Sequence, residues 1–185
     1  ERLVFEVGEA LAGHEFVLAN GTNQRFELGQ WTLERPRQYL GWHGGGGLGY
    51  GVGATIGAAL AQPEGTVTVD IQADGDLLFL PSALWTAAHL ELGALFVVND
   101  NRQYGNTVEH AIKIAEARGR GIDARYFGAG LAEPPVDIPA MARSFGVWAA
   151  EPVSEPAALP EALSRAVDVA ASGRPALVDV ITPGF

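Results

Sequence analysis

Apolar positions change their period several times along the chain, and each change marks an element. In residues 1–12 (ERLVFEVGEALA), Leu3, Val7, Ala10 and Leu11 share a face at helical spacing. Glu15 to Ala19 then forms a short apolar run stopped by Asn20-Gly21, which predicts a buried strand. Residues 29–47 have no period and hold Pro36 and four consecutive glycines, Gly44 to Gly47, so they read as loop. Small residues recur from Leu48 to Leu60, as in a helix packed closely on a sheet.

The middle of the chain is the clearest. Thr66 to Gln72 (TVTVDIQ) is β-branched and ends at Asp74-Gly75. Pro81 to Leu92 is amphipathic, with Leu84, Ala88 and Leu92 on one face. Ala94 to Val98 is a second apolar strand, stopped by Asn99-Asp100-Asn101. Strand, helix, strand at this spacing is a βαβ unit, which requires a parallel sheet. Further helices are expected over Thr107 to Ala117, Ile138 to Phe145 and Pro156 to Ala171, with a closing strand over Ala176 to Ile181. The expected fold is α/β: one domain over residues 1–185, a three-layer α/β/α sandwich with a mostly parallel sheet. Residues 118–137, rich in Gly, Arg and Pro, form a long surface excursion, expected to act as a lid that orders when the active site is complete.

Composition narrows the classes. Hydrophobic residues make up 48% and charged residues 18%, the profile of a folded globular chain. The longest apolar run, Leu48 to Ala61, is short and broken by glycines, so no membrane span is expected. The formal net charge of −10 repels phosphate backbones, which argues against a nucleic-acid partner. The absence of cysteine removes disulfides, thiolate metal sites and a cysteine nucleophile, and no export signal is visible, making the cytoplasm the expected compartment. Position 1 is Glu rather than Met, so a trimmed start or a piece of a longer chain is expected.

Ligands of open α/β sheets bind at the carboxyl ends of the strands. Two successive strands here end in Ala73-Asp74-Gly75-Asp76 and in Asn99-Asp100-Asn101-Arg102-Gln103-Tyr104-Gly105. A carboxylate at one strand end and an amide at the next form a hard-oxygen pair suited to Mg²⁺ or Ca²⁺, and Mg²⁺ takes few protein ligands before bridging to phosphate oxygens. Either motif alone is also an ordinary turn. What distinguishes the pair is that one complete helix and one strand separate Asp74 from Asn101. A Walker loop is excluded because the single lysine, Lys113, lies far from the glycines, and a Rossmann fingerprint lacks its preceding strand.

Residues 73–105 resemble the Gly-Asp-Gly and Asn-Asn motifs of thiamine diphosphate-dependent enzymes, with VVNDNRQYG in the place of the family's VV-x-NN-x-x-YG. The resemblance implies that Asp74, the Asn101 side chain and the Gln103 carbonyl hold Mg²⁺ (or Ca²⁺), while Gly75, Asp76 and Tyr104 lie against thiamine diphosphate. Ala73 and Asp100 depart from the usual Gly and Asn. The segment Gly44 to Gly51 resembles the family's glycine run. It implies that Leu48 wedges between the cofactor's rings, while the carbonyl of Gly46 accepts from its 4′-amino group. Thr22 and Asn23, after the first strand, resemble a diphosphate-facing segment of acetolactate synthase-like members.

The pattern of residues 109–148 is most similar to acetolactate synthase and benzoylformate decarboxylase-like members, implying a 2-oxo acid substrate. The family's pyrimidine-binding domain has no counterpart here. A complete site is therefore expected to need another segment or subunit in a homo- or hetero-oligomer, and the chain alone is expected to be inactive. Two other readings remain: a non-catalytic cofactor-binding or assembly subunit, and a Mg²⁺-dependent nucleotide-binding domain. Among the histidines, His14, His43, His89 and His110 match no metal spacing, and His43 could face substrate.

Overall fold

The computed structural model describes residues 2–21, 31–41 and 47–184. Five parallel strands, β1 (Phe16–Gly21), β2 (Val67–Ala73), β3 (Ala94–Asp100), β4 (Trp148–Ala149) and β5 (Ala176–Ile181), form one sheet in the order β1-β2-β3-β5-β4. The helices are α1 (Arg2–Ala10), α2 (Tyr50–Leu60), α3 (Asp74–Leu77), α4 (Ala83–His89), α5 (Gly105–Ala117), α6 (Ile138–Ser144) and α7 (Leu159–Ala171).

Alternation along the strands sorts side chains into two cores. Val67, Val69 and Ile71 of β2, with Leu95 and Val97 of β3, face α1 and α7 and meet Val7, Leu163, Ala166 and Val167. Phe96 and Val98 of β3, with Leu177 of β5, join Val52 of α2, Leu84 and Ala87 of α4, and Ile138 and Ala142 of α6. Sheet covered on both faces is the expected three-layer α/β/α sandwich.

Boundaries move by a few residues from the sequence expectation, and three features are new. Asp74-Gly75-Asp76 does not simply turn: it opens the short helix α3. The motif Asn99-Asp100-Asn101 does not stop β3 at Val98, since the strand continues through Asp100, held by pairing with β5. The two-residue strand β4 was not foreseen. The excursion is fastened to the second motif: Tyr104 N–H donates to Ala129 O at 2.8 Å and Leu131 N–H to Arg102 O at 2.8 Å. Its outer part is exposed, with the Phe127 side chain 93% accessible.

Candidate functional site

β2 and β3 run parallel in a register that sets Ala73 beside Asn99, so the next residues, Asp74 and Asp100, emerge side by side at the strand ends. Asn101 follows immediately. The fold therefore brings together the carboxylate and amide that the sequence singled out. Asp74 is 2% exposed, and neither of its carboxylate oxygens has a hydrogen-bond partner in full geometry. Burying such a group is costly unless something satisfies it.

Burial first, then the adjoining Asp100 carboxyl, push the Asp74 pKa above its usual range, against the pull of the Gly75 and Arg102 N–H groups. A third carboxylate joins them from β5. Asp179 is 1% exposed, its Oδ1 has no partner, and burial followed by the charges of Asp100 and Asp74 raises it to about 7. Sequence reasoning missed Asp179. A charged residue inside the buried run ALVDVI was the available signal.

The other motif residues are arranged by the backbone. Asn101 Oδ1 accepts from Gln103 N–H at 3.2 Å, and the Gln103 carbonyl accepts from Gly105 N–H at 2.9 Å. Each oxygen retains a second lone pair. Arg102, between them, has φ 55°, an uncommon left-handed conformation for a non-glycine residue. Tyr104 lies over Gly75: a Cβ there would stand 2.5 Å from Cε1 and 2.7 Å from Cδ1 of its ring. Only glycine leaves the ring its place. Asp76 plays a part that the sequence did not reveal, since its Oδ1 accepts from Gly49 N–H at 2.6 Å, tying the start of α2 to the strand-end motif.

Leu48 is 50% exposed, on the loop entering α2. Thr22, Asn23, His43 and Gly46 lie outside the described residues. His89 is exposed and stacks on Trp85, with ring centroids 4.7 Å apart, and His110 is exposed on α5, so neither joins the site. No group of three or more His, Asp or Glu side chains among the described residues is arranged to hold a metal by itself. One carboxylate supplemented by an amide and a carbonyl is the donor set that remains. It fits a hard divalent cation that keeps further positions for phosphate and water.

A second buried polar grouping lies deeper, under α2. Asp70, midway along β2, accepts from Asn20 Nδ2 at 2.8 Å, and burial raises it to about 8 despite that hydrogen bond. Gln72, Thr68 and Thr55 are fully buried beside it with unpartnered polar atoms. A bulge between Leu18 and Asn20 in β1 shifts the register so that Asn20 pairs with Asp70.

Comparison with known proteins places this geometry. The profile of the family described as "Thiamine pyrophosphate enzyme, C-terminal TPP binding domain" matches residues 19–180. The chain is 32% identical over 187 residues to benzoylformate decarboxylase of Pseudomonas aeruginosa, covering 97% of this chain and 31% of that protein. It is 29% identical over 181 residues to a probable chloroplastic acetolactate synthase 2 of Oryza sativa subsp. japonica, covering 96% of this chain and 26% of that protein. The chain thus spans about a third or less of these curated relatives. A thiamine diphosphate-dependent 4-hydroxybenzoylformate decarboxylase from Rhodococcus jostii RHA1 shares the fold, with a TM-score of 0.79 at 22% identity, over 100% of this chain and 32% of that one. The chain belongs to the family of C-terminal thiamine pyrophosphate-binding domains of thiamine pyrophosphate enzymes.

Proposed function

We propose that this chain grips the diphosphate of thiamine diphosphate through a divalent cation, Mg²⁺ or Ca²⁺, in an enzyme that acts on 2-oxo acids. The observation that carries the reading is the buried, unpartnered Asp74 carboxylate at the end of β2, next to Asn101 at the end of β3. Asp74, Asn101 Oδ1 and the Gln103 carbonyl would hold the cation. The backbone N–H groups of Gly75 and Asp76, with Thr22 and Asn23, would face the diphosphate, and Tyr104 closes over Gly75. Because lysine is nearly absent, the cation and backbone N–H groups supply most of the neutralisation.

When bound, the cofactor supplies a nucleophilic carbon and an electron sink for the pair left behind when a 2-oxo acid loses CO₂. This chain's residues contribute orientation: the Leu48 wedge and the Gly46 carbonyl would set the angle between the cofactor's rings. A pyrimidine-binding domain or subunit would complete the site, in a homo- or hetero-oligomer, with the outer part of residues 118–137 closing over it. No described helix is long and apolar enough to cross a membrane, and a cytoplasmic site of action goes with this reading. The relatives named above act, by their names, on benzoylformate or as acetolactate synthases. Either chemistry begins with a 2-oxo acid.

Titration with thiamine diphosphate and with ATP, each with Mg²⁺, separates this reading from a nucleotide-binding domain. Thiamine diphosphate is expected to bind and ATP not to compete. Adding a pyrimidine-binding partner is expected to produce turnover of pyruvate or benzoylformate that the chain alone lacks. Preference for ATP would overturn the cofactor assignment, and a cofactor-bound complex inert towards every 2-oxo acid would favour a non-catalytic subunit.

A further inference from the structure

We infer that Asp100 and Asp179 charge the metal site so that this chain binds its divalent cation before, and without, the diphosphate. The inference rests on the metal-site reading above and goes beyond it by assigning an order of assembly and two residues that enforce it.

Three carboxylates, one just after β2, one at the end of β3 and one within β5, lie close enough to feel one another's charge. Asp74, Asp100 and Asp179 are 2%, 4% and 1% exposed. The register that sets Asp74 beside Asp100 also places Asp179 on β5, beside Val98 of β3. Asp100 Oδ1 is occupied by Arg102 N–H at 3.0 Å. Both oxygens of Asp74 and Oδ1 of Asp179 have no partner. The Arg102 guanidinium is the cation beside them, with Nε 3.9 Å from Asp100 Oδ2, and its side chain is 46% exposed, so water weakens its field.

The three carboxylates are not arranged as a ligand set of their own. Asp100 and Asp179 therefore act through space on a cation held by Asp74, Asn101 and Gln103. In a buried setting like charges repel strongly, and a divalent cation relieves all three at once. A diphosphate arriving first meets the same carboxylates as repulsion. The cluster thus favours the cation alone and disfavours the anion alone, which orders the two events: cation first, diphosphate second.

Mn²⁺ reports this directly, because the free ion is read by electron paramagnetic resonance. The complete chain is titrated with MnCl₂, first without and then with thiamine diphosphate. Wild type is expected to bind one Mn²⁺ without cofactor. Asp100→Asn and Asp179→Asn are each expected to weaken that binding by about tenfold or more. Asp168→Asn, the same charge change on the exposed face of α7, is expected to leave it unaltered. If Asp179→Asn fails to fold, Asp100→Asn decides alone, since its retained oxygen still accepts from Arg102 N–H.

Binding of Mn²⁺ only when thiamine diphosphate is present would overturn the inference and leave the metal-site reading standing. Cofactor-free binding that neither substitution weakens would overturn it too. No binding of Mn²⁺ under either condition would overturn the inference together with the site reading beneath it.

Discussion

The sheet buries two polar groupings that a list of side chains would not tell apart, yet their positions give them different meanings. One has Asp74 and Asp100 at the ends of β2 and β3, with Asp179 two residues short of the end of β5. The other, Asp70 with Asn20, Gln72, Thr68 and Thr55, sits within β1, β2 and α2. Both hold a carboxylate raised by burial, and both hold polar atoms without partners. At a strand end the backbone leaves the ladder, so an amide, a carbonyl and backbone N–H groups gather around the carboxylate. Midway along β2 the backbone is committed to its neighbours and α2 closes the space. On the proposed reading, the same chemistry serves binding in the first place and is a cost to folding in the second.

That contrast is broken most sharply at the two carboxylates. Asp74→Ala is expected to weaken Mg²⁺-dependent thiamine diphosphate binding by about a hundredfold or more, equivalent to roughly 2.7 kcal/mol. The same change should leave the metal-free fold as stable as wild type or more so, since an unsatisfied buried carboxyl is removed. Asp70→Asn should keep cofactor affinity within about twofold. Calorimetry on both variants checks this, and equal losses would erase the distinction.

Each grouping also has its glycine. At Gly51 a Cβ would stand 2.5 Å from Asn20 Nδ2 and 2.9 Å from Gln72 Oε1, inside the buried grouping. Gly51→Ala is expected to cost roughly 1–3 kcal/mol of stability, as overpacking does, with little effect on the cofactor affinity of the folded protein. At Gly75 the clash is with the Tyr104 ring, whose surroundings are more open. Gly75→Ala is expected to weaken cofactor binding about tenfold, or roughly 1.4 kcal/mol, with a smaller change in stability. Thermal unfolding and calorimetry on the pair would sharpen the comparison or reverse it.

Much of this was legible in the sequence because it is local. β2 and β3 are buried on both faces, so TVTVDIQ and ALFVV read as strands, and the turn residues behind them marked the ends. Asp74 and Asn101 were singled out by that spacing, and Gln103 only by the family resemblance it carried. α3 was hidden because Asp-Gly-Asp reads equally well as a turn. β4 has only two residues and exists through its pairing with β5. The approach of Asp179 to Asp74 depends on β5 inserting between β3 and β4, a pairing far apart in sequence. The inner grouping did leave a trace: Thr68, Asp70 and Gln72 alternate with valine and isoleucine. A polar face on a strand that is nonetheless buried becomes visible only once α2 is known to cover it.

A further expected effect is on pH dependence. Asp70, Asp74 and Asp179 all have pKa values raised in the folded state, so folding takes up protons there. Their contribution to stability is full below about 4 and is lost as pH rises through 7 for Asp179 and 8 for Asp70. In wild type, stability should therefore fall across this window. Asp70→Asn should reduce the slope by up to about 1.4 kcal/mol per pH unit. Mg²⁺ with cofactor should reduce the strand-end share, because the cation favours the ionised form of the carboxylate that binds it and of those beside it, and leave the Asp70 share in place. Denaturant midpoints between pH 5 and 9 check both, and a slope that ignores Asp70→Asn would contradict the assignment.

The central claim is that the strand-end carboxylate and amide reach the diphosphate through a cation. Titrating thiamine diphosphate into the chain with Mg²⁺, and again after chelation with EDTA, tests it without any substitution. Binding with Mg²⁺, its loss on chelation, and no binding of thiamine lacking the diphosphate at the same concentrations are expected. Thiamine diphosphate binding equally well after chelation would contradict it.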